Sequence, residues 1–494
     1  METIDKLLAL LQYNPNEPLI FSSGMFLFLF LGFTLFYSLF TKRTLPRIIY
    51  VTVFSLYFYY KTSGIFFLLL LCTATSDFSI GLLMSRASTE ARRKFFVALS
   101  VAINVGMLCY FKYTNFFIDI YNDFTDNPLD FQNIFLPIGI SFFTFQSMSY
   151  TIDIYRRRIE PLTRWVDYVF FVSFFPQLVA GPIVRARDFI PQIRRNPIVI
   201  SRDDFARGVF LILTGLFKKC VISDFISINF VDRIFDAPML YTGFENLMGV
   251  YGYGLQIYCD FAGYSDMAIG IALLLGFHFL PNFNSPYKSA TITEFWRRWH
   301  ISLSSWLKDY IYVSLGGNRR GKVRQYLNLM LTMLIGGLWH GASLRFLLWG
   351  AMHGAALAVH KVAITFLGFK AQGEDMTSRW RRVLGIFITF NFVSFAWIFF
   401  RAGDMETAWG VITQIFTYFH PEIFLDFVAG YRWVFLVIVV GYLLHFASAK
   451  SEARSLALFT SCPLWSYPFF VAALVWFIMQ ISSGEVQPFI YFQF

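Results

Sequence analysis

Residues Tyr326 to Phe346 read YLNLMLTMLIGGLWHGASLRF, an apolar run that carries no charge before Arg345 and holds one histidine, His340. The run has the length of a membrane span, about 20 predominantly apolar residues. Similar windows recur along the chain. Leu19 to Phe40, Gly64 to Met84, Phe95 to Tyr113 and Ile134 to Tyr155 stand in the first third, with a short one from Ile48 to Tyr60. Trp165 to Gly181, Phe205 to Ile228, Leu247 to Phe277 and Leu347 to Phe369 follow, then Val383 to Phe400, Trp433 to Phe446 and Trp465 to Ile481. Composition agrees: 56% of residues are hydrophobic and only 15% charged, against about 25% charged in a soluble domain. Such a chain cannot cover itself with a water-facing surface, so lipid is its solvent. The expected fold class is an all-α polytopic membrane protein with about 11 to 13 transmembrane or re-entrant helices.

A net charge of +10 would suggest nucleic acid in a soluble protein, but no nucleic-acid motif accompanies it. Lys and Arg collect instead in short loops: Lys42, Arg43 and Arg47; Arg86, Arg92, Arg93 and Lys94; Arg156, Arg157, Arg158 and Arg164. The loop from Asp119 to Asp130 is acidic. The positive-inside rule then places the N-terminus outside and the basic loops in the cytoplasm. The N-terminus has no positive region before its first apolar run, so no cleavable signal peptide is expected. Five cysteines are scattered without a CxxC pair and read as buried small hydrophobes.

No long soluble insert, low-complexity tract or repeat divides the chain, so one membrane domain over 1–494 is expected. Pro and Gly interrupt apolar runs at Leu136-Pro137-Ile138-Gly139, Phe175-Pro176 and Ala180-Gly181-Pro182. Inside a membrane such breaks are tolerated where protein or a water-filled cavity satisfies the freed backbone groups. Between Tyr287 and Gln325 hydrophobicity falls while Trp, Arg and Lys cluster. That stretch predicts an amphipathic or re-entrant helix ending at the Gly316-Gly317-Asn318 turn.

His340 is the first candidate for chemistry. On a helix Gly336 and Gly337 lie four and three residues before it, on its own face. They leave room for a substrate beside the imidazole, or for a neighbouring helix. Ser343, three residues on, would share the face and orient the ring. A polar group at membrane depth is costly to retain, which tilts the reading towards function. His300 is the second candidate, with Trp296 four residues before it and Ser304 four after. Its bland alternative is an interfacial histidine in an aromatic belt. Asp260 and Asp266 lie in an apolar segment and must be paired, line a cavity or be neutral; a structural role is the expectation. No metal-ligand spacing occurs. The basic residues Arg297, Arg298, Lys308, Arg319, Arg320, Lys322 and Arg324 read either as positive-inside charge or as a docking patch for a phosphate-bearing donor.

Taken together these motifs resemble the membrane-bound O-acyltransferases. The resemblance rests on Phe295-Trp-Arg-Arg-Trp-His300, Ser302-Leu-Ser-Ser-Trp306-Leu-Lys-Asp309-Tyr310 and Leu315-Gly-Gly-Asn318-Arg319. Gly337-Leu-Trp339-His340-Gly341-Ala-Ser343 carries the hallmark histidine. It is closest to the bacterial branch of alginate O-acetyltransferase-like proteins, which also shows Gln146 to Asp153, Phe175 to Arg185 and Gln256 to Asp266. Leu344-Arg345 and Ser314 depart from the pattern near the site, which puts donor and acceptor preference in doubt.

The resemblance implies a core over 18–366, further membrane helices over 367–494, and a central tunnel with the two histidines near its narrowest part. It implies His340 as general base or transient acyl acceptor, with His300 assisting. Trp296, Trp299, Trp339, Gly336, Gly337, Ser343 and Asp309 would line the passage. Arg297, Arg298, Lys308, Asn318 and Arg319 would meet the donor. That donor would be a cytoplasmic acyl thioester, acetyl-CoA above all, with no bound cofactor or metal. The acetyl group would pass across a bacterial inner membrane to a secreted serine-hydrolase-like acetyltransferase and then to a polysaccharide. A D-alanyl exporter for teichoic acids, fed by a carrier-protein thioester, is the related alternative. A membrane transporter is the alternative of another class, although the two halves of the chain lack the matching pair of broken segments such folds use.

Overall fold

The computed structural model describes residues 9–366, 378–481, 487 and 489–490. Among the described residues all regular structure is helical. Among the described residues six helices are long and apolar enough to cross a membrane: Thr44–Arg86, Glu90–Asn122, Gly243–Leu274, Leu344–Phe366, Arg379–Arg401 and Leu464–Ile481. A bent pair, Pro421–Gly430 and Arg432–His445, turns by 99° and would make a seventh. The multi-pass helical class therefore holds, with fewer uninterrupted spans than the hydropathy windows suggest. The reasons are local. The windows from Ile48 and from Gly64 fall in one 43-residue stretch, Thr44–Arg86. The window from Ile134 yields a helix only from Ile140, because Gly139 adopts φ 79. The window from Trp165 stops at Ser173, ahead of Pro176.

The chain divides into two compact units, Met1–Gly208 with Ala268–Leu280, and Val209–Met267 with Pro281–Phe494. The first contains α1 (Gly24–Tyr37), α2 (Thr44–Ser63), α3 (Phe67–Arg86), α4 (Glu90–Leu108), α5 (Ile140–Tyr155) and α6 (Trp165–Ser173). Its apolar centre is aromatic, with Phe21, Phe26, Phe58 and Phe175 in mutual ring contact. One polar knot sits between α3, α4 and α5. Buried Asp77 accepts hydrogen bonds from Ser100 Oγ at 2.6 Å and Asn104 Nδ2 at 2.9 Å, and Ser100 meets Thr151 Oγ1 at 2.8 Å. Two of the basic residues, one in α2 and one in α4, serve packing. Arg47 is fully buried and donates to the carbonyls of Thr41, Ile193 and Arg195. Arg93 donates to those of Met84, Ile154 and Tyr155.

The second unit holds most of α7 (Gly243–Leu274), then α8 (Ile292–Arg298), α9 (Ile301–Trp306), α10 (Lys322–His340), α11 (Leu344–Phe366) and α12 (Arg379–Arg401). The acids of α7 are paired, as their apolar setting requires. Lys219 stands on a π-helical turn, Phe217–Ser223, and reaches Asp260 at 2.6 Å and Asp224 at 2.7 Å. Lys218 from the same turn reaches Asp266 at 2.6 Å. The wider turn directs two consecutive lysines at acids one helical turn and more apart on α7.

Candidate active site

His340 is the last residue of α10, and Gly341 continues in extended backbone. Ser343 therefore lies beyond the helix, on the turn into α11, where its Oγ accepts from the Arg345 N–H at 3.4 Å. The expectation that Ser343 shares the helical face of His340 fails because the helix has already ended. The two glycines also divide their work. A Cβ at Gly337 would collide with the Phe346 carbonyl, and one at Gly350 with the Met333 carbonyl. Both serve the close crossing of α10 and α11, the small-residue packing typical of membrane helices. A Cβ at Gly336 would meet only a Leu307 methyl, at 3.1 Å. Gly337→Ala is accordingly expected to destabilise the fold by about 1–3 kcal/mol, read as a lowered unfolding temperature in detergent. Gly336→Ala should unfold close to wild type.

The His340 imidazole is buried in aromatic rings. Trp339, Trp349 and Phe400 meet it edge to face, with centroids 5.0, 5.1 and 5.1 Å away. Trp339 also stands 6.0 Å from the ring of His300, so one indole touches both histidines. Trp299 is packed among Phe283, Phe295 and Trp397 at 5.1, 5.6 and 5.0 Å and is a wall of the interior.

His300 does not continue a helix from Trp296 to Ser304. It sits between α8 and α9 with φ 41, in the left-handed region that non-glycine residues rarely occupy. Such strain persists where surrounding contacts over-determine it, and it gathers at functional sites. Here Asn282 supplies the contacts. Its Oδ1 accepts from the Ser302 N–H at 3.2 Å and Ser302 Oγ at 2.9 Å, while its Nδ2 donates to Ser265 Oγ at 3.1 Å. A backbone N–H can only donate, so the amide orientation is settled. His300 Nδ1, 3.1 Å from the same oxygen, must bring a proton. The neutral ring then keeps its lone pair on Nε2.

Beside α8 and α10 lies a cavity of about 440 Å³. Trp296, Arg297, Lys308, Asn318, Arg319 and Lys361 line it, together with apolar Leu307, Leu329, Met333 and Leu357. Gly316 and Gly317 at φ 103 and 57 form the expected turn that brings Asn318 and Arg319 to it. Arg298 does not line this cavity: it pairs with Glu294 at 3.0 Å and donates to the Asn284 carbonyl at 3.2 Å. Asp309, half-buried on the π-helical turn Leu307–Tyr312, is also outside the lining. Trp296 leads inward from the cavity, because its ring stands 5.8 Å from Trp349 and its indole N–H donates to His353 Nδ1 at 3.3 Å.

Four residues around the histidines carry little signal in the sequence. His353 is visible only as a histidine on an apolar helix. Trp349 and Phe400 read as core aromatics, and Asn282 acts across 18 residues of sequence. Helical spacing does place Trp349 and His353 on one face of α11.

Residues 54–401 match the family model described as MBOAT, the membrane-bound O-acyltransferase family, a range that takes in α12 and its Phe400. The chain is 40% identical over 406 residues to the "Probable alginate O-acetylase AlgI" of Pseudomonas aeruginosa, covering 81% of this chain and 75% of that one. It is 36% identical over 423 residues to the "Peptidoglycan O-acetyltransferase" of Helicobacter pylori, covering 80% and 79%. Similarity to the "Teichoic acid D-alanyltransferase" of Bacillus subtilis is 28% over 284 residues, covering 54% and 69%.

Proposed function

The chain belongs to the membrane-bound O-acyltransferase family and is an acyltransferase, and on that footing we propose that it exports acetyl groups for O-acetylation of an extracytoplasmic polysaccharide. The donor is a cytoplasmic thioester, acetyl-CoA. The acetyl group leaves on the far side through a secreted serine-hydrolase-like acetyltransferase. The protein is multi-pass, and we assign it to the bacterial cytoplasmic membrane with its N-terminus outside. Relatives named for alginate and for peptidoglycan O-acetylation support a glycan acceptor.

The observation that carries the donor assignment is the cavity beside Trp296. Four cations, Arg297, Lys308, Arg319 and Lys361, line it with leucines and a methionine. Phosphates want the first set, as charge-assisted hydrogen-bond partners. A pantetheine arm wants the second. From Trp296 the ring contacts run through Trp349 to His340.

In the transfer, His340 takes the proton of the acceptor hydroxyl as its oxygen bonds to the thioester carbonyl carbon. The carbon–sulfur bond breaks, and the proton passes to the leaving thiolate, so an ester and free thiol result. If the His340 nitrogen itself adds first, a nitrogen–carbon bond replaces the carbon–sulfur bond and the ring proton goes to the thiolate; the acceptor oxygen then displaces the nitrogen and its proton returns to the ring. His300, with its lone pair on Nε2, accepts a hydrogen bond from the donor or acceptor and orients it.

Purified protein supplied with acetyl-CoA should release free thiol, with water standing in for the acceptor hydroxyl and acetate as the other product. Lys308→Glu and Arg319→Glu should each raise KM for acetyl-CoA by about tenfold at low salt with kcat little changed, an effect that shrinks as salt screens it. An unchanged KM in both would remove the cavity from donor binding.

A further inference from the structure

When a nucleophile adds to the thioester, the carbonyl oxygen becomes an oxyanion, and pre-placed donors aimed at that charge are commonly the largest single contribution to catalysis. We propose that Trp349 Nε1–H and His353 Nε2–H are the oxyanion donors of this site, an inference that rests on the acyl-transfer reading above.

Two ring N–H groups on one face of α11 are buried without a hydrogen-bond partner among the described residues. Trp349 Nε1 is one and His353 Nε2 the other; both residues are 0% exposed. The protonation of His353 follows from its neighbour. An indole N–H can only donate, so the contact from Trp296 Nε1 makes His353 Nδ1 the acceptor and puts the proton of the neutral ring on Nε2. Trp349 and His353 are one helical turn apart, with ring centroids at 4.7 Å. Trp349 in turn meets the His340 ring.

Unpaired N–H groups in such a place are costly, and native folds keep few of them. Simple space-filling does not explain this pair, since phenylalanine would fill the volume without an orphan donor. Nor do the surrounding tryptophans behave alike. Trp397 donates to the Tyr287 hydroxyl at 3.2 Å, and Trp296 to His353. An oxygen acceptor brought between the two rings would satisfy both donors. During reaction the carbonyl π pair moves onto that oxygen as the new bond forms. Collapse returns the pair and expels the thiolate, and the two N–H groups keep their protons throughout.

The test uses full-length protein and acetyl-CoA. Trp349→Phe and His353→Phe should each lower kcat by about 10²-fold, leaving KM for acetyl-CoA within about threefold of wild type. A second readout needs no active variant. With carbonyl-¹³C acetyl-CoA bound to the His340→Ala protein, the carbonyl infrared band should lie below its position in water, and adding Trp349→Phe should raise it. Turnover within about threefold of wild type in both phenylalanine variants would overturn the assignment. Should either variant fail to fold, the band in His340→Ala decides: at or above the solution position, the assignment is wrong. Absence of thiol release by the wild-type protein would strike the donor reading itself, a different and separately visible failure.

Discussion

Replacing His340 by alanine is expected to lower thioester turnover by about 10³-fold, within the range a positioned general base supplies. The imidazole is enclosed by Trp339, Trp349 and Phe400, and a methyl group in its place removes the group assigned to take the acceptor proton. The loss should fall on kcat, because the cations proposed to bind the donor line the cavity beside Trp296 and not the cage around His340. KM should move little. His340→Gln separates shape from chemistry: it keeps a polar side chain of similar reach yet has no basic nitrogen, so it should be as inactive as alanine. Activity in the glutamine variant approaching wild type would assign His340 a packing role. Intact unfolding temperature in both would rule out collapse of the aromatic cage as the cause.

The second large effect concerns the fold. Lys219 is buried between Asp224 and Asp260, and the second oxygen of Asp260 accepts the N–H of Ile490 at 2.9 Å. Lys219→Met would leave the buried Asp260 and the partly exposed Asp224 without their cation. Breaking a buried ion pair from one side costs about 3–5 kcal/mol. The expected result is little monodisperse protein after detergent extraction, or a much lowered unfolding temperature. Lys219→Met combined with Asp260→Asn should recover part of the loss, since one of the stranded charges is then gone. A single variant that unfolds at the wild-type temperature would show that the cluster contributes nothing to stability.

Much of this was legible in the sequence, and the failures have physical causes. Apolar length identified the membrane class, and His340 stood out because a polar ring in such a run is expensive. The glycine turn at Gly316 and Gly317 was marked by residue type alone. Helical periodicity misled wherever a helix stops. It ran α10 on through Ser343, and it carried one face from Trp296 to Ser304 across the left-handed backbone of His300. Periodicity also could not tell which glycine faces a partner helix, a matter settled by the nearness of α11 to Gly337. Hydropathy windows overcounted continuous spans because prolines, Gly139 and the π-helical turn at Lys219 shorten helices without lowering apolarity. Asn282, Trp349 and His353 act through contacts distant in sequence or through ring nitrogens whose partners only the fold reveals.

The most direct measurement is made in cells that lack this gene and receive it back as wild type or as His340→Ala. Ester-linked acetate and ester-linked D-alanine, released by mild base from the extracytoplasmic polysaccharide and from peptidoglycan, are both quantified. The expected result is acetate restored by the wild-type gene, absent with His340→Ala at equal protein level, and D-alanine ester unaffected by either. Full acetate with His340→Ala would contradict the histidine chemistry, and restored D-alanine ester without acetate would contradict acetyl export.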